Sequence, residues 1–122
     1  YPPTTFDSPA DCREMFKNLI GGSDEDSVLA QISPLHGVTG ENAPAFIWHT
    51  FSDEMVDVRH SLYYAQRLKE AGVKFELHIF PEGPHAMGLC DEETAFTPIH
   101  LNSHAGQWFP LALNWLKLTF GR

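Results

Sequence analysis

The sequence has little that would fix its structure by covalent or metal bonds. Its two cysteines, Cys12 and Cys90 in 122 residues, form neither a disulfide framework nor a close metal-ligand spacing. Each reads as a small buried residue rather than a nucleophile. No apolar run approaches the roughly 18 residues of a membrane-crossing helix, and nothing near Tyr1 reads as a signal peptide. The expectation is a cytoplasmic protein with no membrane partner, the compartment depending on whatever preceded Tyr1. Positive charge is also scarce. Eight Lys and Arg stand against 16 Asp and Glu, for a net charge of −8. That excess argues against broad electrostatic binding to nucleic acid or anionic lipid. Internal repeats and low-complexity tracts are absent.

What is present suffices for one domain with a modest core: 43% of residues are hydrophobic and 20% charged. The stretch from Pro44 to Leu89 organises the rest. Ala45–Thr50 is a short, aromatic-rich apolar run that reads as a strand. Lys74–Phe80 alternates, with Phe75, Leu77 and Ile79 on one side and Glu76 and His78 on the other. Between them Val58, Leu62, Ala65 and Leu68 recur at helical spacing, and Gly72 provides a C-terminal stop. A helix of about 14 residues spans roughly 21 Å, and six strand residues span roughly 20 Å. The helix can therefore return the chain to start a parallel neighbour, a right-handed βαβ crossover.

The flanks are simpler. Tyr1–Thr5 reads as the end of a strand, Asp7–Ser8–Pro9 as a turn, and Asp11–Ile20 as a helix with Met15, Phe16 and Leu19 on its apolar side, ended by Gly21–Gly22. Ser23 is an expected N-cap for a second short helix, with Asp24, Glu25 and Asp26 in its first turn. Val28, Leu29 and Ile32 would be its buried side, and Ser33–Pro34 its stop. Pro34–Pro44 is a loop. From Ala86 to His104 the chain reads as irregular, and from Gly106 as a helix with an unusually broad apolar face: Trp108, Leu111, Ala112, Trp115 and Leu118 in one row, Phe109, Leu113, Leu116 and Phe120 in the next. Pro110 is acceptable there in the first turn.

Two residues carry the candidate chemistry. In open α/β sheets ligands bind beyond the carboxyl ends of the strands. Asp53 lies three residues past the first strand and His85 five past the second, so both loops emerge at one sheet edge. A histidine acting as general base needs an acceptor on its other ring nitrogen, and an aspartate supplies it. The segment HTFSDEMVDVRHSLYYAQRLKEAGVKFELHIFPEGPHAMGL then resembles the C-terminal part of α/β-hydrolase-fold esterases of the acetylxylan esterase and dienelactone-hydrolase-like type, related to prolyl oligopeptidases. The carrying motifs are HTxxDxxV, LKEAGV, FELHIFPEGPH and QWxPLALNWLK. The resemblance implies an α/β fold, here the C-terminal part of an α/β hydrolase with a short parallel sheet flanked by helices. It also implies that Asp53 and His85 are triad members, with no cofactor. Asp57 departs from the family, which often has proline there.

The triad order in that family is nucleophile, acid, histidine, with the serine in a G-x-S-x-G elbow. No serine of this chain has that frame. Residues 1–122 are therefore expected to be an incomplete hydrolase domain, bearing the acid and base of a serine carboxylesterase for small acyl esters, acetylated sugars among them. The nucleophile-bearing segment, or another copy of the chain, is the expected partner, because two or three strands bury too little alone. The rival reading is a catalytically silent folding or association module. His100 and His104, four apart, have a spacing that could put two metal ligands on one helix face, but no acidic third ligand lies at a typical offset and the segment reads as a loop until about Ser103. His49 and His78 read as packing residues within strands, and His36 and His60 carry no motif.

Overall fold

The computed structural model describes residues 4–5, 12–22 and 25–121. Its elements are α1 (Cys12–Leu19), α2 (Asp26–Ile32), β1 (Ala45–Thr50), α3 (Arg59–Glu70), β2 (Phe75–Phe80) and α4 (Trp108–Phe120), with 3-10 turns at Pro98–His100 and Ala105–Gln107. No helix among the described residues is long and apolar enough to cross a membrane.

β1 and β2 pair in parallel, from Ala45 opposite Phe75 to Thr50 opposite Phe80. The crossover helix α3 ends as its sequence requires. Gly72 adopts φ +75°, its N–H reaches the carbonyl of Lys69 at 3.2 Å, and Val73 N–H reaches that of Leu68 at 2.9 Å. These paired bonds close the last turn and suit a residue without a β-carbon.

Strand alternation sends neighbouring residues to opposite faces, and both faces are covered. Ala45, Ile47 and Phe75 pack with Val38, Leu68 and Val73 on the α3 side. Phe46 and Trp48 turn to α4: the Phe46 ring lies 5.8 Å from Trp115, and Trp48 stacks on Trp108 at 5.0 Å and 5°. Glu76 and His78, on this same side, bond to each other at 2.8 Å. A separate small cluster joins α1 to α2 through Phe16 and Leu29.

Several sequence expectations change in the flanks. Of the apolar side expected in α1 only Phe16 is buried; Met15 and Leu19 are exposed, and Ile32 of α2 is partly so. A helix of eight residues against one of seven offers a single contact line, too narrow for all of them. Glu25, not Ser23, occupies the N-cap position of α2 and makes no side-chain cap bond. Ser23 and Asp24, the turn at Asp7–Ser8–Pro9 and Tyr1–Pro3 lie outside the described residues. Thr4 and Thr5 are buried but not in a strand. Thr4 instead donates its N–H to His60 Nδ1 at 3.1 Å and its hydroxyl to the His60 carbonyl at 2.8 Å.

α4 starts at Trp108 after a 3-10 turn, which puts Pro110 in its first turn. It touches the sheet through Trp108 and Trp115 and carries no fully buried residue. The row Leu113, Leu116 and Phe120 stays 44%, 43% and 51% exposed.

Candidate active site

The loop leaving β1 is folded around Asp53. Its Oδ1 accepts the N–H of Met55 at 2.8 Å and of Val56 at 2.9 Å. This local turn, which an aspartate side chain favours, holds the carboxylate toward the sheet. Val56, 1% exposed, pins the far side of the loop.

The loop leaving β2 is locked to the first one. Phe51 N–H bonds the Phe80 carbonyl at 2.7 Å. Thr50 Oγ1 donates to the Gly83 carbonyl at 2.8 Å, and Ser52 Oγ accepts the Gly83 N–H at 2.9 Å. Gly83 has φ +146°, and a β-carbon there would collide with Met87 Sδ and press on Thr50. Only glycine permits this approach. Beyond it Ala86 takes φ +61°, a conformation costing roughly 1–2 kcal/mol for a residue with a β-carbon. The fully buried Met87, packed with Phe80, Cys90 and Ala105, holds the turn against that cost.

These two loops bring Asp53 and His85 together. His85 Nδ1 lies 2.9 Å from Asp53 Oδ2, with the aspartate side chain fully buried and the histidine side chain 27% exposed. An ionised carboxylate only accepts, so Nδ1 carries the hydrogen and the ring's basic lone pair is on Nε2. His85 lines an open cleft of about 660 Å³, together with Ser52, Glu54, Met55, Glu82, Ile99 and His100. Such an arrangement can take a proton from a nucleophile placed in the cleft and stabilise the resulting imidazolium.

Behind the aspartate lies His49, fully buried. Its Nε2 is 2.9 Å from the Val56 carbonyl and 3.5 Å from Asp53 Oδ2, and its Nδ1 is 2.7 Å from Ser61 Oγ on α3. Burial pushes this imidazole below its ordinary pKa, outweighing the Val56 carbonyl and Asp53. Reading the sequence as strand packing accounted for the burial of His49 and missed its bonds. The H-x-x-x-D spacing that ends β1 was the available signal. Thr50 and Ser52 were missed as loop clamps, because short hydroxyl residues after a strand carry no distinctive pattern.

None of the remaining candidates bonds to this pair, though His100 lines the same cleft. His100 sits in a 3-10 turn with Nδ1 3.0 Å from Thr97 Oγ1. His104 precedes the next turn and meets the Phe80 ring edge-on at 5.4 Å, so the two do not share one helix. Among the described residues no group of three His, Cys, Asp or Glu could hold a metal ion. His60 is buried and held below its ordinary pKa by that burial. Cys90 is buried, which raises its thiol pKa; the side chain of Cys12 lies outside the described residues. Asp57, the departure from the family pattern, grips Arg59 through two side-chain bonds of 2.7 and 2.8 Å, which lowers its pKa to about 2.

Comparison with known proteins gives a consistent result. Residues 11–109 match the prolyl oligopeptidase family. Among solved structures, a sugar hydrolase from Lactococcus lactis shares 32% identity at a TM-score of 0.79, over 97% of this chain and 45% of its own. A carboxylesterase from Lactobacillus plantarum shares 31% at 0.68, over 77% and 38%. An acetyl ester-xyloside bifunctional hydrolase from Caldicellulosiruptor lactoaceticus shares 34% at 0.67, over 80% and 33%. A 77-residue stretch is 31% identical to endo-1,4-beta-xylanase B of Butyrivibrio fibrisolvens, 63% of this chain and 12% of that protein. The chain thus spans less than half the length of each of these relatives.

Proposed function

Because the chain belongs to the prolyl oligopeptidase family and has the α/β-hydrolase fold, we propose that Asp53 and His85 are the acid and base of a serine ester hydrolase whose nucleophile comes from another segment. The observation that carries this is the 2.9 Å contact between His85 Nδ1 and a fully buried Asp53. In the reaction, His85 Nε2 takes the hydroxyl proton as the serine oxygen bonds to the ester carbonyl. It then passes that proton to the departing alcohol as the ester C–O bond breaks. Water repeats the sequence on the acyl-enzyme and releases the acid. Asp53 holds the ring by its Nδ1–H and balances the imidazolium charge throughout.

Small acyl esters are the proposed substrates, acetylated sugars in particular. The likeness to an acetyl ester-xyloside hydrolase and to a xylanase supports that choice. The proposed partner is the nucleophile-bearing segment. Its space is suggested by a slot of about 430 Å³ beside β1, lined by Thr4, Pro34, Tyr64 of α3 and Trp108 of α4.

The test is His85→Ala in the complete hydrolase, with p-nitrophenyl acetate and acetylated xylo-oligosaccharides as substrates. Loss of turnover on both with unchanged melting is expected. Near-normal turnover would remove His85 from the mechanism, and activity on p-nitrophenyl acetate alone would remove the sugar ester.

A further inference from the structure

We propose that His49 is a positioning residue for the acid of this pair: its Nε2–H, anchored from behind by Ser61, holds the Asp53 loop closed through the Val56 carbonyl, and its ring lies against the Oδ2 atom that faces His85. This rests on the acid and base roles given above to Asp53 and His85.

The bonds of His49 fix its tautomer. The Val56 carbonyl can only accept and lies 2.9 Å from Nε2, so Nε2 bears the hydrogen. Nδ1 then accepts from the Ser61 hydroxyl at 2.7 Å. The Nε2 atom also lies 3.5 Å from Asp53 Oδ2, a close contact rather than a hydrogen bond, on the oxygen that accepts from His85 at 2.9 Å. One ring therefore ties α3, through Ser61, to the far end of the acid loop, through Val56, and rests against the carboxylate. Among the described residues, the titratable groups acting on its charge are Asp53 on the loop leaving its strand and His85 on the next, while α3 presents the uncharged Ser61. Burial disfavours the charged form of the His49 ring. It can then orient Asp53 without cancelling its charge, which a second imidazolium would do.

A plain core histidine would also be buried and bonded. The difference is functional and readable. In a fully buried site, a small misplacement of the acid reaches His85 directly, and losses on the order of 10- to 100-fold follow from errors of about 1 Å. Asparagine at position 49 can imitate Nδ1 toward Ser61 but offers no donor to the loop. Glutamine can imitate the Nε2 donor.

The experiment compares His49→Asn, His49→Gln and Ser61→Ala in the complete hydrolase. Expected for His49→Asn is a 10- to 100-fold fall in kcat with little change in KM. The acid limb of kcat/KM should also move to higher pH, because more of the Asp53 charge then acts on His85. His49→Gln should recover part of the rate and the wild-type pH profile, and Ser61→Ala should lose less than His49→Asn. Imidazole nitrogen NMR of the chain should show His49 as the Nε2–H tautomer. An Nδ1–H tautomer overturns the proposal. So do folded His49→Asn and His49→Gln enzymes with equal rates and the wild-type pH profile. An enzyme inactive with native His49 strikes the acid–base reading itself and this proposal with it, whereas an active one indifferent to His49→Asn removes His49 alone.

Discussion

The strand-end loops and the outer face of α4 are completed to different degrees. Around Asp53 both carboxylate oxygens have partners, the loops that carry Asp53 and His85 are bonded to each other through Thr50, Ser52 and Gly83, and Met87 and Val56 seal them from behind. Along α4, Leu113, Leu116 and Phe120 border a groove of about 620 Å³ beside Lys117 and remain near half exposed. The polar site closes within the chain because its bonds join residues of two loops that leave neighbouring strands. Among the described residues the apolar face of α4 has no such neighbour, since the two-stranded sheet is narrower than the helix surface laid on it. Polar bonds between neighbouring loops can thus be satisfied locally, whereas an apolar helix face needs a surface as broad as itself to cover it.

The largest effect that would test this contrast is at the acid. Asparagine at position 53 keeps the Oδ1 bonds to Met55 and Val56 but presents an NH₂ toward His85. That favours the tautomer in which Nε2 carries the hydrogen and cannot accept one. We expect kcat of Asp53→Asn in the complete hydrolase to fall by about 10⁴-fold, as in a protease triad, with melting little changed. A loss below tenfold would separate the geometry of this loop from its use. On the other side of the comparison, Leu116→Glu puts a charge into the α4 groove. Leu116 is 43% exposed, so stability in thermal melting should change by no more than about 0.5 kcal/mol. The His85 Nδ1–H signal should stay in place. A lost His85 signal would mean that the two regions are not independent.

Smaller effects come from protons. His49 and His60 both have pKa values lowered by burial, so the unfolded chain binds protons that the folded one refuses. Stability from these two rings is full above their ordinary value of 6.5 and is lost as pH falls below it. Melting curves from pH 8 to pH 5, on the order of the histidine window, should show a falling midpoint, and His60→Gln should flatten the decline. A midpoint that rises on acidification would contradict the neutral state of these rings. Least of all should Asp57→Asn matter at neutral pH. Its bonds to Arg59 are at the surface, where ion pairs contribute little. Their contribution is present above pH 3.8 and fades as pH falls toward 2, so thermal melting at pH 7 should barely move.

Much of this was legible in the residues. Pro44 followed by AFIWHT marked β1 to its ends, Gly72 marked the stop of α3, and counting from the strands put Asp53 and His85 at one edge. What could not be read was how loops close. The Gly83 and Ala86 conformations depend on Met87 and Thr50 meeting them in space, and the bonds of His49 depend on Ser61 from the following helix. Nor could periodicity say which apolar residues would find cover. Met15 and Leu19 fit a helical stripe as well as Phe16 does, yet only Phe16 meets Leu29. Burial is decided by what lies opposite, and a stripe does not contain that information.

The most direct test of the central claim, a finished acid–base pair awaiting a nucleophile, is ester hydrolysis by the 122-residue chain alone and after joining to a segment that carries G-x-S-x-G, with p-nitrophenyl acetate as substrate. The account predicts the buffer rate for the chain alone, turnover for the joined protein, and loss of that turnover with His85→Ala. Turnover by the chain alone at the rate of the joined protein, or joined turnover indifferent to His85, would contradict it.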